Sequence, residues 1–177
     1  MIERFDAFCF DYRNVLAAVP LVAALLVEGG AWPHPAAAWA LGVALAVAGV
    51  AVRALCVLHN RYAQREKKEL ATEGPYGVVR NPLYVGNLLV IFGAAVASQR
   101  LWLLPILALW CAGVYSRVAA HEGRRLIERY GDAYLAYRDA VPAWIPRPPE
   151  GFFPALLRQS VALVLLLPFL LKFLLGR

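Results

Sequence analysis

Two polar clusters interrupt an otherwise apolar chain, and each holds residues able to bind or transform a ligand. The first is the run Gly74-Pro75-Tyr76-Gly77-Val78-Val79-Arg80-Asn81-Pro82-Leu83-Tyr84-Val85-Gly86-Asn87. It sets a rigid, charged turn directly before a hydrophobic segment. Arg, Asn and two Tyr add nothing to lipid anchorage there, and polar groups at the mouth of a membrane helix ordinarily serve a ligand. Asn81 suits an N-cap and Pro82 the first helical position. The exposed backbone N–H groups of that first turn, with Arg80 beside them, make a site for a carboxylate or phosphate. The second cluster runs from Glu122 to Pro146. Glu122, Arg125 and Arg129 fall on about one helical side, and Tyr130, Tyr134 and Tyr137 follow at i, i+4 and i+7. Blander accounts exist for both sets. The tyrosines suit an interfacial aromatic belt. Glu122 suits an i, i+3 pair with Arg125, worth roughly 0.2–0.5 kcal/mol.

The elements that must carry these clusters are membrane helices. The chain has 177 residues and is 61% hydrophobic, and its mean hydropathy is positive. The apolar residues gather into spans near Val15 to Glu28, Ala36 to Val57, Leu83 to Ser98, Leu101 to Ala119 and Pro154 to Leu171. Several approach the roughly 20 residues that cross a bilayer. The expected fold is therefore all-α: a polytopic integral membrane protein of about five transmembrane helices, forming one membrane domain over residues 1–177. Within it, residues 14–57 form an N-terminal helix hairpin, 74–147 the core that holds both clusters, and 154–175 an extra C-terminal hydrophobic helix. Gly42, Ala46 and Gly49 stand at i, i+4 and i+7, a small-residue face for close helix contact. Arg53 can snorkel to the end of its span. His59 to Thr72 reads as a charged helical linker. Past Ala119 the helix continues to Tyr130, Gly131 breaks it, Asp132 caps a second short helix, and Pro142 ends that one.

Net charge is +6, and its placement follows topology rather than nucleic acid. Arg53, Arg61, Arg65, Lys67, Lys68 and Arg80 surround one loop; Arg117, Arg124, Arg125, Arg129, Arg138, Arg147 and Arg158 surround another. The positive-inside rule puts both loops, both polar clusters and the N-terminus in the cytoplasm; the arginine- and alanine-rich composition suggests a GC-rich bacterial genome, and the expected location is a bacterial inner membrane. No signal peptide is read at the start. Cys9, Cys56 and Cys111 lie far apart and read as packing residues, without a disulfide framework. His34 and His59 have no second ligand at metal spacing, so no metal is expected.

The two clusters together resemble the signature of the isoprenylcysteine carboxyl methyltransferase family, shared with the related phospholipid methyltransferases. The similarity lies in Gly74-Pro75-Tyr76 with Val79-Arg80-Asn81-Pro82-Leu83-Tyr84-Val85-Gly86. It continues in Glu122-Gly123-Arg124-Arg125-Leu126, Tyr130-Gly131-Asp132-Ala133-Tyr134-Leu135-Ala136-Tyr137, Val141-Pro142 and Ile145-Pro146. It covers residues about 36 to 147. The resemblance implies an integral membrane methyltransferase that uses S-adenosylmethionine, releases S-adenosylhomocysteine, and takes a lipid or lipid-modified acceptor from the bilayer. It implies cofactor contacts from Gly74, Pro75, Tyr76, Arg80, Asn81, Pro82, Tyr84 and Gly86 in the first block. In the second it implies Leu126, Tyr130, Tyr134, Tyr137, Val141, Pro142 and Ile145. Arg80 suits the methionine carboxylate, and the tyrosines suit the adenine ring and the sulfonium. The matching catalytic position is Glu122, with Arg117 as the candidate substrate grip.

Methyl transfer is an in-line displacement, so the protein must chiefly align two reactants and exclude water. A general base is needed only for an acceptor that starts protonated, an amine or thiol; Glu122 could take that proton. The chain departs from the family at three places. Asn81 replaces a usual His, His121 a frequent Glu, and the Arg that grips a carboxylate acceptor one turn before the Glu is Val118 here, with Arg117 one residue off. Two other functions fit the helical core: a nicotinamide-dependent membrane reductase of sterol-reductase type, and a non-enzymatic membrane scaffold. The acceptor, the oligomeric state and the path of the C-terminal segment are left open by the sequence.

Overall fold

The computed structural model describes residues 2–26, 34–61, 63 and 69–147, and these contain helices and no strand. The helices are α1 (Ile2–Asp11), α2 (Arg13–Leu26), α3 (Pro35–Arg61), the single turn α4 (Pro75–Val78), α5 (Pro82–Ala97), α6 (Leu104–Tyr130) and α7 (Asp132–Ala140). A 3₁₀ turn, Leu101–Leu103, leads into α6. Among the described residues two helices are long and apolar enough to cross a bilayer, Pro35–Arg61 and Leu101–Tyr130, while Pro82–Ala97 is apolar but shorter. The expected C-terminal span lies outside the described residues, as does most of the expected charged linker. Of that linker, His59 to Arg61 end α3, and the stretch from Leu70 to Thr72 is not helical.

Small residues set the main helix contact. A Cβ on Gly42 would stand 2.4 Å from the Ala97 nitrogen and 2.5 Å from the Gly93 oxygen, and one on Gly49 would stand 2.6 Å from the Gly86 oxygen. The face expected from Gly42, Ala46 and Gly49 is thus in use. Its partner is α5, which answers with Gly86, Val90, Gly93 and Ala97 at matching helical spacing. α2, which has no glycine, rests instead on α5 and α6. Arg53 does not snorkel away from this seam. It is half-buried, and its Nη1 donates to the Asn87 side chain on α5.

The buried core gathers Tyr84, Ile91 and Ala95 of α5 with Leu107, Cys111, Tyr115 and Val118 of α6, and Cys9 of α1. Asp6 is 1% exposed and lies 2.7 Å from Arg124 and 3.8 Å from Arg117, which holds α1 alongside α6. Backbone bonding carries through the α1–α2 junction, from Tyr12 N to Phe8 O and from Leu16 N to Tyr12 O. On the outside of these two helices Ile2, Phe5, Phe8, Tyr12, Val15, Val19, Val22 and Leu26 are exposed at spacings of three and four. Such a stripe suits lipid rather than water.

Two expected caps are corrected. Asn81 is the residue before α5 and Pro82 opens the helix, but the Asn81 side chain makes no capping bond; its Nδ2 donates to Ala143 O at 3.0 Å instead. Gly131, with φ +54°, ends α6 and is itself the residue that opens α7. Asp132 is inside the first turn, where its charge suits the helix dipole without capping.

Candidate active site

The two polar blocks meet. At the end of α3 and the mouth of α5, backed by α6 and α7, lies a cavity of about 370 Å³, within the roughly 300–1,000 Å³ of small-molecule sites. The first block supplies Tyr76, Arg80, Asn81, Pro82, Leu83 and Tyr84, and the second Glu122, Gly123, Leu126, Tyr134 and Tyr137.

The blocks are stitched by hydrogen bonds. Arg80 N donates to Pro142 O at 2.8 Å and Arg147 N to Val78 O at 3.0 Å. Tyr137 OH donates to Tyr76 O at 2.8 Å, and Tyr84 OH to Glu122 Oε2 at 3.0 Å. With the Asn81–Ala143 bond, these ties explain why so rigid a turn precedes α5. Gly74 takes φ +59° with ψ −129°, a conformation strained for any residue with a Cβ, and the His59 ring would lie 3.0 Å from that Cβ.

Arg80 supplies an unmet charge. Its Nε is buried without a hydrogen-bond partner, and its side chain lines the cavity. Unpartnered buried donors are costly unless a ligand meets them. Because the Asn81 side chain points to Ala143, no side chain caps the first turn of α5. The backbone there and Arg80 together suit an anion. Glu122 stands across the same cavity, its carboxylate oriented by Tyr84, whose ring stacks on Tyr115 at 5.2 Å. Burial, then the neighbouring Cys56, Glu122 and Tyr137, push the Tyr76 phenol well above its ordinary value. Burial and Tyr134 do the same to Tyr137, against the opposing pull of Arg80. Both stay neutral donors through the physiological range.

Several expected site residues stand elsewhere. Gly74 and Pro75 form the turn behind the cavity, and Gly86 belongs to the seam with α3. Val141, Pro142 and Ile145 do not line the cavity; Pro142 acts through its carbonyl, and the Ile145 side chain is 81% exposed. Tyr130 lies outside the cavity with Arg129 over its ring. Arg117 is also outside it, on the Asp6 side of α6. The sequence reading missed Phe10 and Arg13 from the N-terminal helices and Cys56, Val57, Asn60 and Arg61 from the end of α3. In the sequence Arg61 reads as one basic residue of a loop, a topology signal rather than a wall of the site. Among the described residues no three His, Cys, Asp or Glu side chains stand together as a metal site.

Residues 20–133 match the profile of the phospholipid methyltransferase family. The chain is 37% identical over 107 residues to the cobalt-zinc-cadmium resistance protein CzcN of Cupriavidus metallidurans, covering 60% of this chain and 47% of that protein. It is 36% identical over 107 residues to the nickel-cobalt-cadmium resistance protein NccN of Alcaligenes xylosoxydans xylosoxydans, with the same coverage of 60% and 47%. The aligned region thus spans about half the length of these curated relatives. No solved structure matches the chain.

Proposed function

The chain belongs to the phospholipid methyltransferase family, and from that premise we propose that it is an S-adenosylmethionine-dependent methyltransferase acting on a membrane-embedded lipid or lipid-modified acceptor. The observation that carries this reading is the buried, unpartnered Arg80 Nε in a cavity built from both polar blocks. The residues present fit the cofactor. Arg80 and the open first turn of α5 would hold its carboxylate, and Tyr76, Tyr134 and Tyr137 would offer neutral aromatic surface to its adenine and sulfonium ends. When bound, the cofactor supplies a methyl group already activated by the positive sulfur. The chain's part is to align the acceptor, exclude water, and receive a proton where the acceptor carries one. Glu122 Oε2, held by Tyr84 OH at 3.0 Å, is the group on this wall able to receive it.

In this reading the cavity opens on the cytoplasmic side of a bacterial inner membrane, in keeping with the basic residues around both blocks. The exposed apolar stripe of α1 and α2 lies against lipid, and the acceptor arrives from there. The relatives' names concern metal resistance; the methyltransferase reading rests on the family and on the cavity rather than on those names. The test is calorimetry in detergent with S-adenosylhomocysteine and with reduced nicotinamide dinucleotide phosphate, followed by transfer of labelled methyl groups into a total lipid extract. Binding of the first with labelling of a lipid supports the reading. Binding of the nicotinamide cofactor alone would move the protein to the reductase class, and binding of neither to the scaffold reading.

A further inference from the structure

The family match begins at residue 20, yet part of the cavity wall comes from before it: Phe10 of α1 and Arg13 at the start of α2. The Phe10 ring closes its part of the wall under three contacts. The Arg13 guanidinium lies 4.3 Å from its centroid, that of Arg125 5.5 Å, and the His121 ring 5.0 Å. What holds α1 itself against α6 is narrow. Asp6, 1% exposed, reaches Arg124 at 2.7 Å and Arg117 at 3.8 Å. Cys9 and Phe10 add apolar contact with the core, but Ile2, Phe5 and Phe8 face outward, so most of the apolar surface of α1 contributes nothing to its hold on α6. α2 is pinned separately. Pro20 has no N–H to give to the Leu16 carbonyl one turn before it, and Trp110 Nε1 of α6 donates to that carbonyl at 3.0 Å instead. The change from α1 to α2 falls between these two ties, at Tyr12. Releasing the Asp6 tie would free α1 while α2 stays, and would carry Phe10 off the cavity.

We propose that α1 is a flap that closes the cavity, with Asp6 as its latch, and that it lifts to admit an amphiphile from the bilayer side. This deepens the methyltransferase reading and rests on it: a lipid-borne acceptor needs a side entrance, and methyl transfer needs water excluded once the acceptor is in. The test needs no methyl transfer. Three free cysteines supply the readout. Cys9 lies on α1 at its contact with the core, Cys56 lines the cavity, and Cys111 is buried in the core where α6 meets α5. The full chain in a neutral detergent is treated with N-ethylmaleimide, and the rate at each thiol is followed by mass spectrometry. Asp6→Asn and Arg124→Gln should each speed labelling of Cys9 and Cys56 about tenfold or more, because either one breaks the buried pair. Cys111 should react as in wild type. Labelling of Cys56 unchanged in both variants would overturn the proposal, since the cavity would then be closed without the latch. Equal acceleration of all three thiols in Arg124→Gln would overturn it too, because Asp6 would then hold up the whole fold. The Arg124 side chain is 39% exposed, so its variant keeps the test sound if Asp6→Asn folds poorly. S-adenosylhomocysteine added to the Arg124→Gln protein reports separately on the underlying reading, and should slow Cys56 again. No slowing beside latch-dependent labelling would sink the methyltransferase assignment and leave the flap standing.

Discussion

α5 takes part in two regions built on opposite principles. Along Gly86, Val90, Gly93 and Ala97 it meets α3 so closely that neither Gly86 nor Gly93 has room for a Cβ. At its mouth, four residues before Gly86, it opens into a cavity kept apart by arginine and tyrosine side chains and fastened by hydrogen bonds to the segment after α7. The seam should fail when atoms are added, because packed backbones cannot give way. The cavity should fail when atoms are removed, because each polar group there has a partner to hold or a ligand to meet. The rigid seam fixes the direction of α5, and so the placement of Arg80 and Tyr84.

The largest effect belongs to the seam. A Cβ on Gly93 would lie 2.6 Å from the Gly42 oxygen and 2.8 Å from the Ala46 nitrogen. Gly93→Leu is expected to destabilise by about 3 kcal/mol or more and to remove the monodisperse folded protein in detergent. Gly113→Leu is the matched control, since nothing lies within 4 Å of a Cβ there; its thermal midpoint should equal or exceed wild type. Equal stability of the two variants would mean that α3 and α5 spread apart freely, and the contrast between seam and cavity would go with it.

In the cavity, Glu122→Gln should give the largest loss of turnover. The fall is expected to be about 10²–10⁴-fold if the nucleophile starts protonated, with cofactor affinity little changed. It should be smaller if the nucleophile is itself an anion, because no proton then needs a receiver. The size of the loss on the identified acceptor therefore reads the nucleophile. Wild-type kinetics would reduce Glu122 to a hydrogen-bond partner of Tyr84. Next in size is Arg80→Ala. It should weaken S-adenosylhomocysteine by roughly 1.5–3 kcal/mol, the range of a hydrogen bond to a charged group. Unchanged affinity in a folded variant would remove Arg80 from the cofactor's carboxylate.

The same contrast decides what was legible in the sequence. The seam was visible from one side, because Gly42, Ala46 and Gly49 declare a small-residue face by their spacing alone. That its partner is α5 rather than the sequence-adjacent α2 depends on a complementary set, Gly86, Val90, Gly93 and Ala97, whose first member belongs to a motif that reads as a binding site. At the cavity the two blocks announced themselves by residue type. Glu122, Arg80, Tyr84 and Tyr137 line one cavity, as the resemblance implied. Phe10, Arg13 and Arg61 did not announce themselves, because an arginine at a helix end near a membrane boundary looks the same whether it marks topology or lines a site. Asn81 shows a different limit. An Asn before Pro is a cap by local rules, and only the return of the chain at Ala143 supplies the acceptor that takes its side chain away.

The smallest expected effect tests one of the stitches. Tyr137 OH donates to Tyr76 O at 2.8 Å, and Tyr137→Phe removes that bond while keeping the ring. At pH 7 the variant should be less stable by about 1 kcal/mol. Burial and Tyr134 raise the phenol of the folded protein above its ordinary value, which is about 10 in the unfolded chain. Above that value the unfolded chain releases the proton that the folded protein keeps. Unfolding is then favoured as pH rises, so the bond's contribution is complete below about pH 10 and is lost above it. Phenylalanine has no proton to release. The stability gap between wild type and Tyr137→Phe should stay constant from pH 6 to 9 and narrow by pH 10.5, read from thermal midpoints in detergent. A gap that stays the same at pH 10.5 would mean that the phenol titrates alike in both states, and that the stitch lies open to water. The cavity would then lack the closed wall that sets it against the mouth of α5.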